Sequence, residues 1–243
     1  MKKQKNIFVA GATGVIGMRL CRMLVEDNWV VFGSTRDESK SKMLREIGVE
    51  PVVVDVYDEK NLEEILVRIQ PQVVMHQLTD LPAGLNPQMM QAALVSNARL
   101  REIGTRNLIK SASKAGVQKM IAQSIAFVYE PDVEPYTEES ALLNFDDLVY
   151  GATSRAVASL EEQVLSAPFV GIVLRNGLLY GAGTGFDAPV DFVTPLHVDA
   201  CAYAAFLALA CEKNALYNVT DDDKRVSTAK IKSELKWNPN YRM

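Results

Sequence analysis

The chain is poor in the residues that build metal centres and disulfide frames. Its 243 residues include two histidines, His76 and His197, and three cysteines, Cys21, Cys201 and Cys211. No Cys-x-x-Cys pair occurs, and each cysteine stands alone in an apolar, helix-patterned stretch. They read as buried thiols, with no metal to hold and no disulfide frame to close. Basic excess is also missing. Twenty-six Lys and Arg against thirty Asp and Glu leave a net charge of −4, which excludes the polycationic footprint of a nucleic-acid or membrane-surface binder. Apolar runs of the ~18 residues that a membrane span requires are absent as well. The charged start, Met1-Lys2-Lys3-Gln4-Lys5, resembles the opening of a secretory leader, but the apolar run after it is short and gives way to glycines. A cytoplasmic protein with no nucleic-acid or membrane partner is the expectation. Repeats and low-complexity tracts are not evident, and 48% hydrophobic content suffices for one sizeable core.

Glycine is placed where it carries the most information. In Asn6-Ile7-Phe8-Val9-Ala10-Gly11-Ala12-Thr13-Gly14-Val15-Ile16-Gly17, a short apolar run leads through G-x-x-G-x-x-G into an amphipathic stretch. A strand turning sharply into a helix aims backbone N–H groups and the positive end of the helix dipole at one spot, which suits a diphosphate. A Cβ at these positions obstructs the turn, the ligand's approach or the helix–strand packing. Gly11, Ala12, Thr13, Gly14, Val15, Ile16 and Gly17 are therefore the candidate dinucleotide cradle. A plain glycine turn is the bland alternative.

Farther along, apolar runs alternate with amphipathic stretches. Runs at 29–33, 52–54, 73–76, 120–128 and 169–174 predict strands. Stretches at 18–25, 37–47, 59–69, 87–115, 150–165 and 198–211 predict helices. Each strand is an unbroken apolar run, as in a parallel sheet covered on both faces. The expected fold is α/β, a doubly wound Rossmann sheet forming one domain over 1–243.

The end of the second strand bears on cofactor choice. A carboxylate there would bond a ribose 2′-hydroxyl and repel a 2′-phosphate. This chain places Ser34, Thr35 and Arg36 there, with Lys40 one turn on. A guanidinium beside hydroxyls suits a phosphate dianion. NADP(H) is favoured and NAD(H) remains possible, because Asp37 either serves the 2′-hydroxyl or caps the following helix.

These motifs resemble, over nearly the whole chain, those of the extended or atypical short-chain dehydrogenase/reductases, the NAD-dependent epimerase/dehydratase family. The glycine loop is one. Others are Asp55-Val56, the segment His76-Gln77-Leu78-Thr79, and Asn97 followed by Gly104-Thr105-Arg106-Asn107-Leu108. Toward the C-terminus come Ser124 to Tyr129, Arg175 to Gly181, Leu196-His197-Val198-Asp199-Ala200, and Leu235-Lys236-Trp237-Asn238-Pro239. The resemblance implies dinucleotide contacts at Asp55, Val56, Gln77, Leu78, Thr79, Asn97, Tyr150 and Leu178, and a small-molecule substrate. It also implies a homodimer through the helices at 87–115 and 150–165.

The family's chemistry uses a tyrosine as acid or base, a lysine four residues on, and a serine that orients the substrate oxygen. Tyr150 is in the expected place, but Ser154 stands where the lysine belongs. Arg155, five residues from Tyr150, lies about 140° around the helix from it and does not inherit the role. The second serine falls on Ile125, so Ser124 is one residue early and faces the other side of a strand. Tyr150, Ser124 and Ser154 are the catalytic candidates, with Tyr150 as a structural residue the alternative. His76 is read as a strand-end residue facing the cofactor, His197 as bonded to a loop, and Asp199 as a helix cap. The substrate lobe is reduced to short elements near 181–196 and 220–243, with 187–195 as a lid remnant. Two readings follow: an NADP(H)-dependent oxidoreductase or epimerase-like enzyme with altered proton transfer, or a non-catalytic NADP(H)-binding sensor.

Overall fold

A strand of five residues, β1 (Asn6–Ala10), starts the sheet, and its side chains already define two layers. In a computed structural model that describes residues 5–243, Ile7 and Val9 pack into one hydrophobic cluster and Phe8 and Ala10 into another. Alternation across a strand covered on both faces requires this division.

The chain continues through α1 (Val15–Glu26), β2 (Val30–Thr35), α2 (Ser41–Arg45), β3 (Glu50–Val53), α3 (Glu59–Ile69) and β4 (Val73–His76). It then passes α4 (Met90–Arg99), α5 (Thr105–Lys114), β5 (Lys119–Ile125), α6 (Gly151–Leu165) and β6 (Val170–Asn176). A pair of three-residue strands follows, β7 (Leu178–Tyr180) and β8 (Pro195–His197), and the chain closes with α7 (Val198–Leu207), β9 (Ala215–Val219) and α8 (Ala229–Leu235). Seven strands form one sheet in the order β3-β2-β1-β4-β5-β6-β9, and every pairing in it is parallel. The α/β doubly wound expectation holds. α1 and α7 cover the Ile7–Val9 layer, and α3, α5 and α6 cover the other.

Three differences from the sequence expectation matter. The seventh strand, β9, was not anticipated, because Ala215-Leu216-Tyr217-Asn218-Val219 mixes polar with apolar residues. β7 and β8, between β6 and β9 in the chain, pair only with each other. The single helix expected over 87–115 is divided into a 3₁₀ turn (Pro87–Met89), α4, a π-turn at Leu100–Gly104, and α5. A π-turn inserts an extra residue per turn and re-aims the side chains it carries.

Cys21, Cys201 and Cys211 are free and buried, as expected. Among the described residues no helix is long and apolar enough to cross a membrane.

Candidate dinucleotide site

The direction of winding reverses between β1 and β4, so the helices that follow these strands leave on opposite faces. A cleft of about 620 Å³ opens beyond the carboxyl ends of the strands at this switch point, where ligands bind in open α/β sheets.

At its centre is the glycine loop. Gly11 has φ +85°, and a Cβ there would lie 2.7 Å from the Gln77 carbonyl oxygen. A Cβ on Gly17 would lie 2.2 Å from the Gly11 carbonyl oxygen, so α1 packs directly on the loop only because Gly17 has no side chain. Gly14 is the N-cap of α1, with no side-chain cap and no acidic residue in the first turn. The first-turn N–H groups thus keep their donors and the dipole keeps its positive end for an anion. The Ser34 hydroxyl accepts from Gly11 N–H at 3.3 Å, and Ala12 N–H donates to the Ser34 carbonyl at 3.2 Å, tying the loop to β2. Gly11, Thr13, Gly14, Val15 and Ile16 line the cleft, while Ala12 and Gly17 are buried behind it.

Thr35, Arg36, Val56, Gln77, Leu78, Thr79 and Leu178 also line the cleft. Asp55 and Asn97 do not. Asp55 accepts from Tyr57 N–H at 2.9 Å, and Asn97 Oδ1 accepts from Asp80 N–H at 3.1 Å, holding the loop after β4. At the β2 end, Asp37 takes the capping role. Its Oδ1 accepts from the Ser39 N–H at 2.9 Å and the Ser39 hydroxyl at 2.6 Å, bonds that hold its carboxyl below the usual range. Arg36 donates to Asp80 at 2.9 Å with its side chain still 56% exposed, and Lys40 lines the same end. The Asp80 contact raises the Arg36 pKa.

The three catalytic candidates are not brought together. Tyr150 caps α6, is 53% exposed and stands outside the cleft lining. Ser154 is fully buried, and its hydroxyl donates to the Leu143 carbonyl at 2.6 Å. The loop before α6 is the cause. It packs so closely that a Cβ on Gly151 would lie 2.3 Å from the Phe145 carbonyl oxygen, covering Ser154 and leaving Tyr150 outside. Ser124 borders the cleft, but its hydroxyl donates to Glu161 at 2.7 Å. Glu161 also receives both Nε and Nη2 of Arg175, at 2.9 and 2.7 Å, and Arg175 donates to the Tyr129 hydroxyl at 3.1 Å.

The histidines also depart from expectation. His76 is fully buried away from the cleft; its Nε2 shares a hydrogen bond of 2.9 Å with the Thr105 hydroxyl. Burial pushes its pKa down to about 4. His197 caps α7 by accepting from Asp199 N–H at 3.2 Å. Asp199, expected as the cap, receives Arg19 of α1 at 2.6 Å.

Five polar residues of the cleft lining, Asp80, Arg101, Gln123, Asn176 and Thr184, were missed. Gln123 donates to the Leu78 carbonyl at 3.2 Å. Asn176 has a buried Oδ1 without a partner. Arg101, on the π-turn, reaches the cleft one turn after Asn97. No sequence period signals it, because the π-turn shifts the helix register at this point.

The reversed parallel sheet, the side-chain-free cradle and the uncapped helix define a Rossmann dinucleotide-binding protein. The NAD dependent epimerase/dehydratase family model matches residues 7–208, and the chain belongs to that family. Among curated relatives, 3-diazoavenalumate denitrifying reductase of a Streptomyces species is 34% identical, over 97% of this chain and 80% of the relative. Sterol-4-alpha-carboxylate 3-dehydrogenase, decarboxylating, of Dictyostelium discoideum is 24% identical over 79% of this chain, and the match spans 58% of that protein. UDP-glucose 4-epimerase of Thermotoga maritima, solved with UDP-glucose, superimposes with a TM-score of 0.79 at 18% identity, covering 98% of this chain and 94% of that one.

Proposed function

We propose that this chain is an NADP(H)-dependent reductase of a small substrate, in which hydride transfer proceeds without a tyrosine–lysine proton relay. The observation that carries the reading is a complete cradle beside a dismantled relay. Gly11 and Gly17 let the loop pack against the Gln77 backbone and under α1, while Tyr150 is exposed outside the cleft and the Ser154 and Ser124 hydroxyls are bonded to Leu143 and Glu161.

The residues present fit the cofactor. Both amide atoms of Gln77 are buried without a partner at the edge of the cleft, an arrangement that is costly unless a ligand completes it. The first turn of α1 would hold the diphosphate. Arg36 and Lys40 would hold a 2′-phosphate, with Asp37 already engaged by Ser39. Leu178 and the β4 loop would border the nicotinamide end. When bound, the reduced dinucleotide supplies a hydride.

Reduction of a carbonyl also needs a proton on the oxygen, and none of the three candidates presents a free hydroxyl to the cleft: Tyr150 lies outside its lining, and Ser154 and Ser124 donate to Leu143 and Glu161. The Streptomyces relative's name describes a reduction that removes nitrogen from a diazo compound. Hydride addition with expulsion of dinitrogen from an aryl diazonium balances as ArN₂⁺ + H⁻ → ArH + N₂ and calls for no protein acid. An acceptor of this electrophilic kind fits a cleft that keeps the glycine loop of a dinucleotide site and has no tyrosine hydroxyl in its lining. Reduction of the substrate lobe to β7, β8 and the loop between them also favours a small substrate.

The same dismantled relay supports a second reading, in which the chain binds NADP(H) as a sensor and transfers no hydride. The test is to titrate the protein with NADPH, then follow NADPH oxidation with a carbonyl panel and with an aryl diazonium, against protein-free controls. Protein-dependent oxidation with the diazonium, unaffected by Tyr150→Phe, is the expected result. Tight binding without oxidation by any acceptor selects the sensor. Loss of activity in Tyr150→Phe restores the ordinary relay and overturns the proposal.

A further inference from the structure

The π-turn between α4 and α5 turns a cation into the cleft and gives it no partner. Arg101 sits on Leu100–Gly104, partly buried, and lines the cleft. Among the described residues no carboxylate, hydroxyl or carbonyl forms a hydrogen bond or ion pair with its guanidinium. The carboxylate whose field it feels is Glu161, already committed to Arg175 through two bonds. Burial moves the Arg101 pKa down to about 10, so the group stays charged at neutral pH.

Its place in the cleft separates it from the anion sites of the cofactor. The diphosphate cradle belongs to β1 and α1, and the 2′-phosphate end is marked by Arg36, which interacts with Asp80 and Asp55. Arg101 instead acts on His76 at the end of β4 and on Glu161, which holds Ser124 at the end of β5. This is the far end of the cleft, where Asn176 at the end of β6 also presents a buried, unpartnered Oδ1. A half-buried guanidinium without a counterion is costly, and its planar fork of donors matches a carboxylate. π-Turns inside α-helices are frequent at functional sites.

From these observations we infer that Arg101 binds the carboxylate of the substrate, and that the substrate is a small organic acid whose body lies against the apolar lining formed by Leu78, Leu160 and Leu178. This inference rests on the proposed reductase reading, and it specifies the substrate class. The carboxylate bonds the Arg101 fork, and the Asn176 Oδ1 accepts from a donor elsewhere on the substrate.

The test uses the full chain saturated with NADPH and the probes cinnamate and cinnamamide, followed by calorimetry, in wild type, Arg101→Met and Arg101→Lys. The expected result is that cinnamate binds the wild type at least tenfold more tightly than cinnamamide does. Arg101→Met should lose that preference, Arg101→Lys should keep part of it, and NADPH affinity should stay within about twofold in both variants. No preference for cinnamate in the wild type, or a preference that survives Arg101→Met, overturns the inference and leaves the NADP(H) reading standing. A tenfold loss of NADPH affinity in Arg101→Met also overturns it, because the guanidinium then serves the cofactor. Failure of the wild type to bind NADPH at all is the separate outcome that overturns the reading beneath it. Near-ultraviolet circular dichroism of both variants identifies any that fails to fold, and Arg101→Lys then decides the matter.

Discussion

The Ser124 hydroxyl donates to the Glu161 carboxylate at 2.7 Å, and that carboxylate is the same one that receives both arms of Arg175. A serine on a cleft-facing strand end is thereby taken into a buried structural network that runs on through Tyr129 to Asn218. The network links α6, β5, β6 and β9, so a residue at the family's substrate-orienting strand end here holds the C-terminal half of the sheet together.

Removing one member of that network leaves a charge buried and unpaired. Glu161→Ala should destabilise the fold by about 3–5 kcal/mol, read as a fall in Tm on the order of 10 °C for a domain of this size. Glu161→Gln, which keeps a neutral acceptor for both donors, should cost less. A Tm for Glu161→Ala equal to that of the wild type contradicts the network's structural role.

Arg36 is held out at the cleft mouth by Asp80, and the two substitutions at this pair should act in opposite directions. Arg36→Ala should weaken NADPH binding at least about tenfold, given about 1.5–3 kcal/mol for a charge-assisted bond, and leave NADH binding nearly unchanged. Asp80→Asn frees the guanidinium and should tighten NADPH binding. Fluorescence titration with both dinucleotides checks this, and equal losses for the two in Arg36→Ala refute a 2′-phosphate role.

A lysine placed four residues after Tyr150 should not create a tyrosine–lysine relay. Ser154 is fully buried, with its hydroxyl on the Leu143 carbonyl, so Ser154→Lys places a longer, charged side chain under the loop and away from Tyr150. Overpacking costs about 1–3 kcal/mol, and desolvation of the ammonium adds to it. The expected outcome is a lower Tm with no gain in carbonyl reduction. Carbonyl reduction in this variant would show that the loop opens to admit the side chain.

His76 makes stability depend on pH. Its pKa falls from 6.5 to about 4 on folding because burial disfavours the charged ring. The unfolded chain therefore binds the proton first as pH falls. The stability this neutral ring provides is complete above pH 6.5, declines as pH falls toward 4, and amounts to about 3 kcal/mol at most. Urea unfolding at several pH values should show this decline in the wild type, and His76→Gln should flatten it over the same window.

The sequence by itself determined the layered fold and the cradle, because both follow from local pattern. Unbroken apolar runs require a sheet covered on two faces, and glycines between a strand and a helix permit the close backbone contacts that Gly11 and Gly17 make in the structure. Even the serine four residues after Tyr150 was legible, since a residue's identity at a fixed spacing is one-dimensional information. Tertiary structure alone decided what the polar residues do. Whether Arg36 meets a phosphate or Asp80 depends on a loop 44 residues away. The Ser124 hydroxyl is engaged because α6 brings Glu161 beside it. Arg101 faces the cleft because a π-turn, which no period of the sequence announces, shifts the helix register beneath it. Hydrogen bonds and ion pairs are made between groups that folding brings within about 3 Å, and separation along the chain carries little information about that distance.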